Sequence, residues 1–217
     1  MTRRVIYLHG FASSPHSRKA NFFGEKLSKE GFTVEIPDLA KDFTHLTISS
    51  QLRIVEDLLA KGPAVLIGSS MGGYLAALCA ARHPNVQKVI LMAPAFGFYD
   101  LWKNELGQEK LLVWREIGVI PIFHYGERKE LPLAYGLMED SCKYEAFPDV
   151  QQPGLILHGI DDPVVPISHS RNFVSSRANI QLLEFQSGHE LTDVLDDMWV
   201  VAKDFLLGAP AKVVEFL

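Results

Sequence analysis

Cysteine is scarce in this chain: two residues in 217, Cys79 and Cys142, far apart and without metal-ligand spacing. That excludes a disulfide framework and fits a reducing compartment. Cys79 falls in an apolar helical stretch and reads as a buried structural residue. Long apolar runs are lacking too, and nothing approaches the roughly 20 residues needed to cross a bilayer. The basic start Met1-Thr2-Arg3-Arg4 leads into Val5-Ile6-Tyr7-Leu8, too short for a signal-peptide core and ended at once by His9-Gly10. The expectation is a cytoplasmic protein with no membrane partner. Positive charge is not in excess: the formal net charge is −5. A nucleic-acid partner is therefore not expected, because such proteins gain affinity by neutralising phosphates with Lys and Arg. No His, Cys and carboxylate cluster offers a metal site, and no cofactor is expected. Internal repeats and low-complexity segments are missing.

What is present is an ordinary globular balance, 47% hydrophobic and 22% charged residues. The length suits one well-filled domain, 1–217, and is short for two. Strand-like and helix-like segments alternate with turn signals between them, the pattern of a parallel sheet with helices on both faces. Strands are expected at about 5–9, 33–36, 64–67, 88–92, 154–157 and 180–185. Helices are expected at about 18–30, 47–61, 71–82 and 193–206, the first stopped by Gly31 and the second by Gly62-Pro63. Asp193 and Asp196 favour the N-terminal dipole of the last helix. One stretch breaks the alternation: about sixty residues separate the strand ending near Ala93 from the strand at Gly154, too many for a structureless loop. It holds Trp102, Trp114, Phe123 and Tyr125, and it is expected to form short helices in a cap-like insertion at about 96–152.

Gly68-Ser69-Ser70-Met71-Gly72 fits Gly-x-Ser-x-Gly. Alone the motif is weak, and a glycine-rich turn without chemistry would look the same. Its placement raises it, because it follows a buried strand and opens a helix, as a nucleophile elbow must. The turn is so tight that small residues must flank the serine, here Gly68, Gly72 and Gly73. The backbone N–H of Met71 is left free at a helix N-terminus, where an anion can be held.

A serine hydroxyl needs a base. His189, in Ser187-Gly188-His189-Glu190, lies between the last strand and the last helix, at the same sheet edge as Ser70. His16 and His45 lie in polar loops, His83 ends a helix, His124 is in the insertion, His158 is in a strand and His169 starts a helix. Only His189 has the required position, and a base of this kind loses activity as pH drops through about 6–7. The acid belongs between nucleophile and base, at a strand end. Asp161 and Asp162 in His158-Gly159-Ile160-Asp161-Asp162-Pro163 compete for it. Asp162 is preferred because Asp161 more naturally faces solvent or caps the turn, and Asp100 is a distant reserve. The role is to accept the Nδ1 hydrogen of His189 and stabilise the imidazolium. The second oxyanion donor is expected from the loop after the first strand, His9-Gly10-Phe11-Ala12, as the Phe11 N–H beside that of Met71. Phe11, Phe96, Phe98 and Trp102, with Trp114 behind them, are candidates to line an acyl pocket or, equally, to pack the insertion onto the sheet.

From Ile6-Tyr7-Leu8-His9-Gly10 through the elbow to Ser187-Gly188-His189, the chain resembles the α/β-hydrolase superfamily. The opening Tyr7-Leu8-His9-Gly10-Phe11-Ala12-Ser13-Ser14-Pro15, with Lys19-Ala20 after it, is similar to small bacterial YqiA-type esterases. The chain departs from that pattern by its longer insertion after Ala93, so substrate preference is not carried over. The resemblance implies a three-layer α/β-hydrolase sandwich with a mainly parallel sheet of about six strands in the order 2-1-3-4-5-6. It also implies a small-molecule ester or thioester as substrate, cleaved through an acyl-enzyme. A thioesterase or acyltransferase would use the same residues. A haloalkane dehalogenase would need a carboxylate where Ser70 stands. A ligand receptor on the same fold would be expected to lack a member of the Ser70, Asp162 and His189 set.

Overall fold

In the computed structural model, which describes residues 3–208, β1 (Arg4–Leu8) is followed by α1 (Arg18–Lys29), β2 (Thr33–Glu35), α2 (Ile48–Leu59), β3 (Ala64–Ser69) and α3 (Met71–Arg82). After β4 (Val86–Met92) come α4 (Phe98–Ile117), the strands β5 (Val119–His124) and β6 (Lys129–Ala134), and α5 (Gly136–Ser141). The chain then returns through β7 (Gly154–Gly159), α6 (Ile167–Val174), β8 (Ile180–Phe185) and α7 (Leu195–Leu207). The parts of the expected 1–217 unit at residues 1–2 and 209–217 lie outside the described residues, as do Met1 and Thr2 of the basic start.

Six strands form one sheet in the order β2-β1-β3-β4-β7-β8, every neighbouring pair parallel. Counted along that sheet alone, this is 2-1-3-4-5-6. Strand alternation divides the core. Val5 and Tyr7 of β1 join Val65 and Ile67 of β3 against α1 and α7 on one face. Ile6, Leu8 and Leu66 point to the other face, against α2, α3 and α6. Because each strand buries both faces, β3 and β7 are apolar or small throughout, apart from Ser69 and His158. The helices obey local rules. Ser17 accepts the Ala20 N–H at the start of α1, and Thr47 and Ser50 form a reciprocal capping box on α2. Asp196 and Asp197 occupy the first turn of α7, whereas Asp193 lies before it and accepts the Ser187 Oγ–H at 2.6 Å.

The segment between β4 and β7 differs from the expected row of short helices. It contains a 20-residue helix broken at Gly107 (φ 75°, ψ 162°), an antiparallel hairpin and one short helix. The hairpin escaped the reading because its outward face is apolar: Val119 and Phe123 are exposed, so the inside-outside contrast that marks a half-buried strand is missing. Its tip is tied to the loop after β1, with the Tyr125 N–H donating to the Ala12 carbonyl at 2.8 Å. Its far end is tied to the loop before α2 through Ala134 N–H to Thr44 O, also 2.8 Å. Asp140 of α5 accepts both the N–H and the Oγ–H of Ser49, each at 2.7 Å. No helix of the described residues is long and apolar enough to cross a membrane.

Candidate active site

In a parallel sheet all strands end on the same edge, so the loops after β1, β3, β7 and β8 converge there. Those loops carry Phe11, Ser70, Asp162 and His189.

At the end of β3 the chain reverses into α3 through Ser70, which has φ 53° and ψ −117°. Positive φ in a residue with a Cβ is strained, and the surroundings hold it there. The Ser70 N–H donates to Met92 O at 2.8 Å, and its carbonyl accepts from the N–H groups of Tyr74 and Ala95 at 3.1 Å each. A Cβ on Gly68 would overlap the Gly72 backbone, so the turn closes only around small residues. The loop after β1 lies alongside: a Cβ on Gly10 would stand 3.5 Å from the Ser70 Cβ. Met71 N–H begins α3 and has no intrahelical acceptor. Among the described residues, the Phe11 N–H makes no backbone hydrogen bond either.

Ser70, His189 and Asp162 form one hydrogen-bonded line. Ser70 Oγ–H donates to His189 Nε2 at 3.0 Å, and His189 Nδ1–H donates to Asp162 Oδ2 at 2.7 Å. Asp162 is buried and Asp161 is exposed, which separates the two neighbours on physical grounds. Asp100 is exposed in the first turn of α4. Burial alone would raise the Asp162 carboxyl, yet the hydrogen bonds from His158 and His189 outweigh it and hold the group well below the usual carboxylate range. Behind His189, Lys19 is buried with its ammonium 3.9 Å from Glu190. Desolvation lowers its pKa, opposed by the charges of Glu190 and Asp162.

The aromatic candidates separate. Phe11 meets Trp102 edge-on at 5.1 Å, and Trp102 contacts Phe98 at 6.0 Å and Trp114 at 5.7 Å. Phe11 and Trp102 are half-buried, while Phe98 and Trp114 are buried behind them. Phe96 is fully buried elsewhere, stacked on Phe173 at 4.1 Å and near Phe147 at 5.9 Å. Two rings missed in the sequence adjoin the first group. Phe43 lies 5.6 Å from Phe11, and His124 lies edge-on to Phe43 at 4.9 Å. Phe43 sits in a polar loop and His124 at a hairpin end, so no periodicity marked either one. His158 was also passed over as a strand residue, although it stands four positions before Asp162 and hydrogen-bonds to it. Among the described residues, no group of three or more His, Cys, Asp or Glu side chains could hold a metal ion.

Residues 4–206 match the uncharacterised protein family UPF0227. The chain belongs to this family. The UPF0227 chain is also similar to the mitochondrial palmitoyl-protein thioesterase ABHD10 of Bos taurus, 28% identical over 156 residues, which are 67% of this chain and 50% of that protein. It is 28% identical to esterase LipQ of Mycobacterium tuberculosis over 144 residues, 59% of this chain and 32% of LipQ. The chain thus spans about half, or less, of these curated relatives. Among solved structures, mouse alpha/beta hydrolase domain-containing protein 10 superposes with a TM-score of 0.81 at 19% identity, covering 97% of this chain and 92% of that one. Est1E from Butyrivibrio proteoclasticus, bound to ferulic acid, gives 0.82 at 20% identity over 96% and 90% of the two chains. At that identity the likeness speaks for the fold, and the fold is that of the α/β-hydrolases.

Proposed function

We propose that this chain is a serine hydrolase that cleaves carboxylic esters of small or hydrophobic acyl groups through an acyl-enzyme on Ser70. The observation that carries the reading is the line Ser70 Oγ, His189 Nε2, His189 Nδ1, Asp162 Oδ2, with separations of 3.0 and 2.7 Å. Ser70 Oγ attacks the ester carbonyl while His189 Nε2 takes its proton. The C–Oγ bond forms, the bond to the alkoxy oxygen breaks, and His189 returns the proton to that leaving group. Water then attacks the acyl carbon, His189 accepts a water proton, and the C–Oγ bond breaks as Ser70 recovers its hydrogen. Asp162 stays ionised throughout and stabilises the imidazolium. The N–H groups of Phe11 and Met71 are assigned to the oxyanion, where loss of one donor typically costs about 10²–10³ in turnover. Phe11 and Trp102, backed by Phe98, are assigned to the acyl group, and Phe96 to packing.

The same groups would serve a thioester, and the bovine relative's name, palmitoyl-protein thioesterase, favours that second reading. Residues 96–152 are read as a cap within one domain. Two free cysteines fit a reducing compartment, and a cytoplasmic location is part of the proposal.

The test is hydrolysis of p-nitrophenyl esters from acetate to laurate, and of an acyl thioester, by wild type and Ser70→Ala. Wild-type turnover that drops more than about 10³-fold in the variant is expected. Equal turnover in both would show that Ser70 is not the nucleophile.

A further inference from the structure

Asp162 serves two histidines. Its Oδ2 accepts from His189 Nδ1 at 2.7 Å and from His158 Nε2 at 3.1 Å. Its Oδ1 accepts the backbone N–H groups of Val164 and Val165 at 2.8 and 2.9 Å. Four donors thus surround a carboxylate whose side chain has no solvent exposure, and three of them come from the β7–α6 segment itself. His158 lies on β7 with no exposure, and the carboxylate and carbonyl oxygens that can only accept lie on the Nε2 side of its ring. Nε2 sits between Asp162 Oδ2 and Val165 O, the latter at 3.0 Å, so Nε2 carries the hydrogen. Nδ1 is left as an acceptor, and Ser170 Oγ–H of α6 donates to it at 2.7 Å. Ser170 is itself buried. The result is a continuous chain from Ser70 through His189, Asp162 and His158 to Ser170.

A strand residue with only a structural task could be apolar here, as its β7 neighbours Leu155, Ile156 and Leu157 are. An imidazole in that row costs desolvation unless its hydrogen bonds are used. They are used, on the one oxygen that also receives the His189 N–H. We propose that His158, whose tautomer is set by Asp162 and Val165 and matched by Ser170, is a positioning residue for the Ser70, His189 and Asp162 line. It does this by donating to the Asp162 oxygen that His189 also uses. Two consequences follow from that shared oxygen. The carboxylate cannot rotate about Cβ–Cγ without breaking bonds at both oxygens, so Oδ2 stays aimed at His189. The His158 N–H also draws charge from Oδ2, which moderates how firmly Asp162 holds the His189 imidazolium.

The charged groups around the pair are Lys19 of α1, Glu190 next to His189, Asp161 on the exposed turn and Glu184 of β8. Glu184 is paired to Arg171 and acts electrostatically on His158. None is altered by substitution at 158, so a change in the pH profile there reports His158 itself.

The experiment compares wild type, His158→Leu and His158→Gln, with kcat, KM and the acidic limb of kcat/KM read separately. Leu removes the donor, whereas the Gln amide can set an N–H near the position of Nε2. His158→Leu is expected to lose about 10–10²-fold in kcat, with KM within about twofold. Its acidic limb should move to higher pH, because an Oδ2 relieved of one donor holds the imidazolium more tightly. His158→Gln should recover most of kcat and return the limb. A folded Leu variant with wild-type kcat and limb would overturn the proposal. So would lost activity with an unmoved limb and no recovery in Gln, since that pattern belongs to a purely structural residue.

If the variants do not fold, long-range ¹H–¹⁵N spectra of the wild type decide. A protonated Nε2 and an unprotonated Nδ1 on His158, with the Nε2–H resonance shifted in Asp162→Asn, support it. The opposite tautomer overturns it. The inference rests on the hydrolase reading, but the two fail differently. A wild type that cleaves no ester or thioester sinks that reading, while the spectra still decide whether His158 holds Asp162.

Discussion

Gly72 lies so close to the end of β1 that a Cβ there would overlap the carbonyl oxygen of Leu8. The contact joins the first turn of α3 to the strand that carries the candidate oxyanion loop. It brings the Met71 N–H, one residue before Gly72, near the loop of Phe11. Spacing between these two backbone segments is therefore governed by the absence of one methyl group.

Gly72→Ala is expected to destabilise the protein by about 3 kcal/mol, since the clash is with backbone and not with a side chain that can turn away. For a chain of this size that corresponds to a fall of about 6–12 °C in Tm. Activity per folded molecule should fall as well, because relief of the clash widens the gap between the two N–H donors. Thermal unfolding and initial rates on p-nitrophenyl acetate check both. A variant with wild-type Tm and rate would mean that α3 can shift without cost.

The elbow and the line of Ser70, Asp162 and His189 were legible because each residue follows a recognisable strand. In a parallel sheet, chain order then decides which edge a residue occupies. Asp162 over Asp161 was a closer matter, because the burial of the one and exposure of the other appear only in the folded turn. The insertion was legible as a length and as aromatic content, but not as a hairpin. Val119, Pro121 and Phe123 are exposed on it, opposite Ala134, Pro132 and Glu130, so no polar face alternates with a buried one. His158 stayed hidden for a different reason. A histidine inside an apolar strand has no local pattern, and its meaning depends on a partner brought near by the turn at Asp162. Phe96 and Phe98 are two residues apart and looked equivalent, yet they flank the left-handed Gly97 at the start of α4, and one meets Phe173 while the other meets Trp102.

Under the proposed function, that divergence assigns Trp102 to specificity and Phe96 to packing. Trp102→Ala should raise KM for octanoyl and longer p-nitrophenyl esters by about tenfold, consistent with about 1.4 kcal/mol of lost apolar contact. It should leave acetate little changed. Phe96→Ala should cost about 3–5 kcal/mol of stability through the cavity it leaves, with no change in chain-length preference. Urea unfolding and the ester series read the two variants independently. An altered chain-length optimum in Phe96→Ala, or an unaltered one in Trp102→Ala, would reverse the assignment.

The insertion is fastened to α2 through Asp140, whose carboxylate takes the N–H and hydroxyl of Ser49 while Lys143 lies 3.1 Å away. Asp140→Ala leaves the Ser49 N–H without that partner, an expected loss of about 1–3 kcal/mol. Hydrogen exchange should show the loosening concentrated in α5 and the hairpin, with β3 and β7 still protected. Uniform loosening of the sheet would show that Asp140 supports the whole fold and not this junction.

Acid stability offers a separate view of Asp162. Although burial opposes ionisation, the bonds from His158 and His189 keep this carboxyl below its ordinary range in the folded state. In the unfolded chain it titrates near the usual value of about 4. The folded protein therefore binds fewer protons there, and the contribution of Asp162 is complete above about pH 4 and lost as pH falls toward its folded-state value. Asp162→Asn removes the contribution at every pH. The difference in Tm between wild type and Asp162→Asn should be largest around pH 6–8 and should shrink steadily below about pH 4. A difference that stays constant from pH 7 to pH 3 would mean that the carboxylate gains nothing from its four donors, and the account of the site would have to change at that residue.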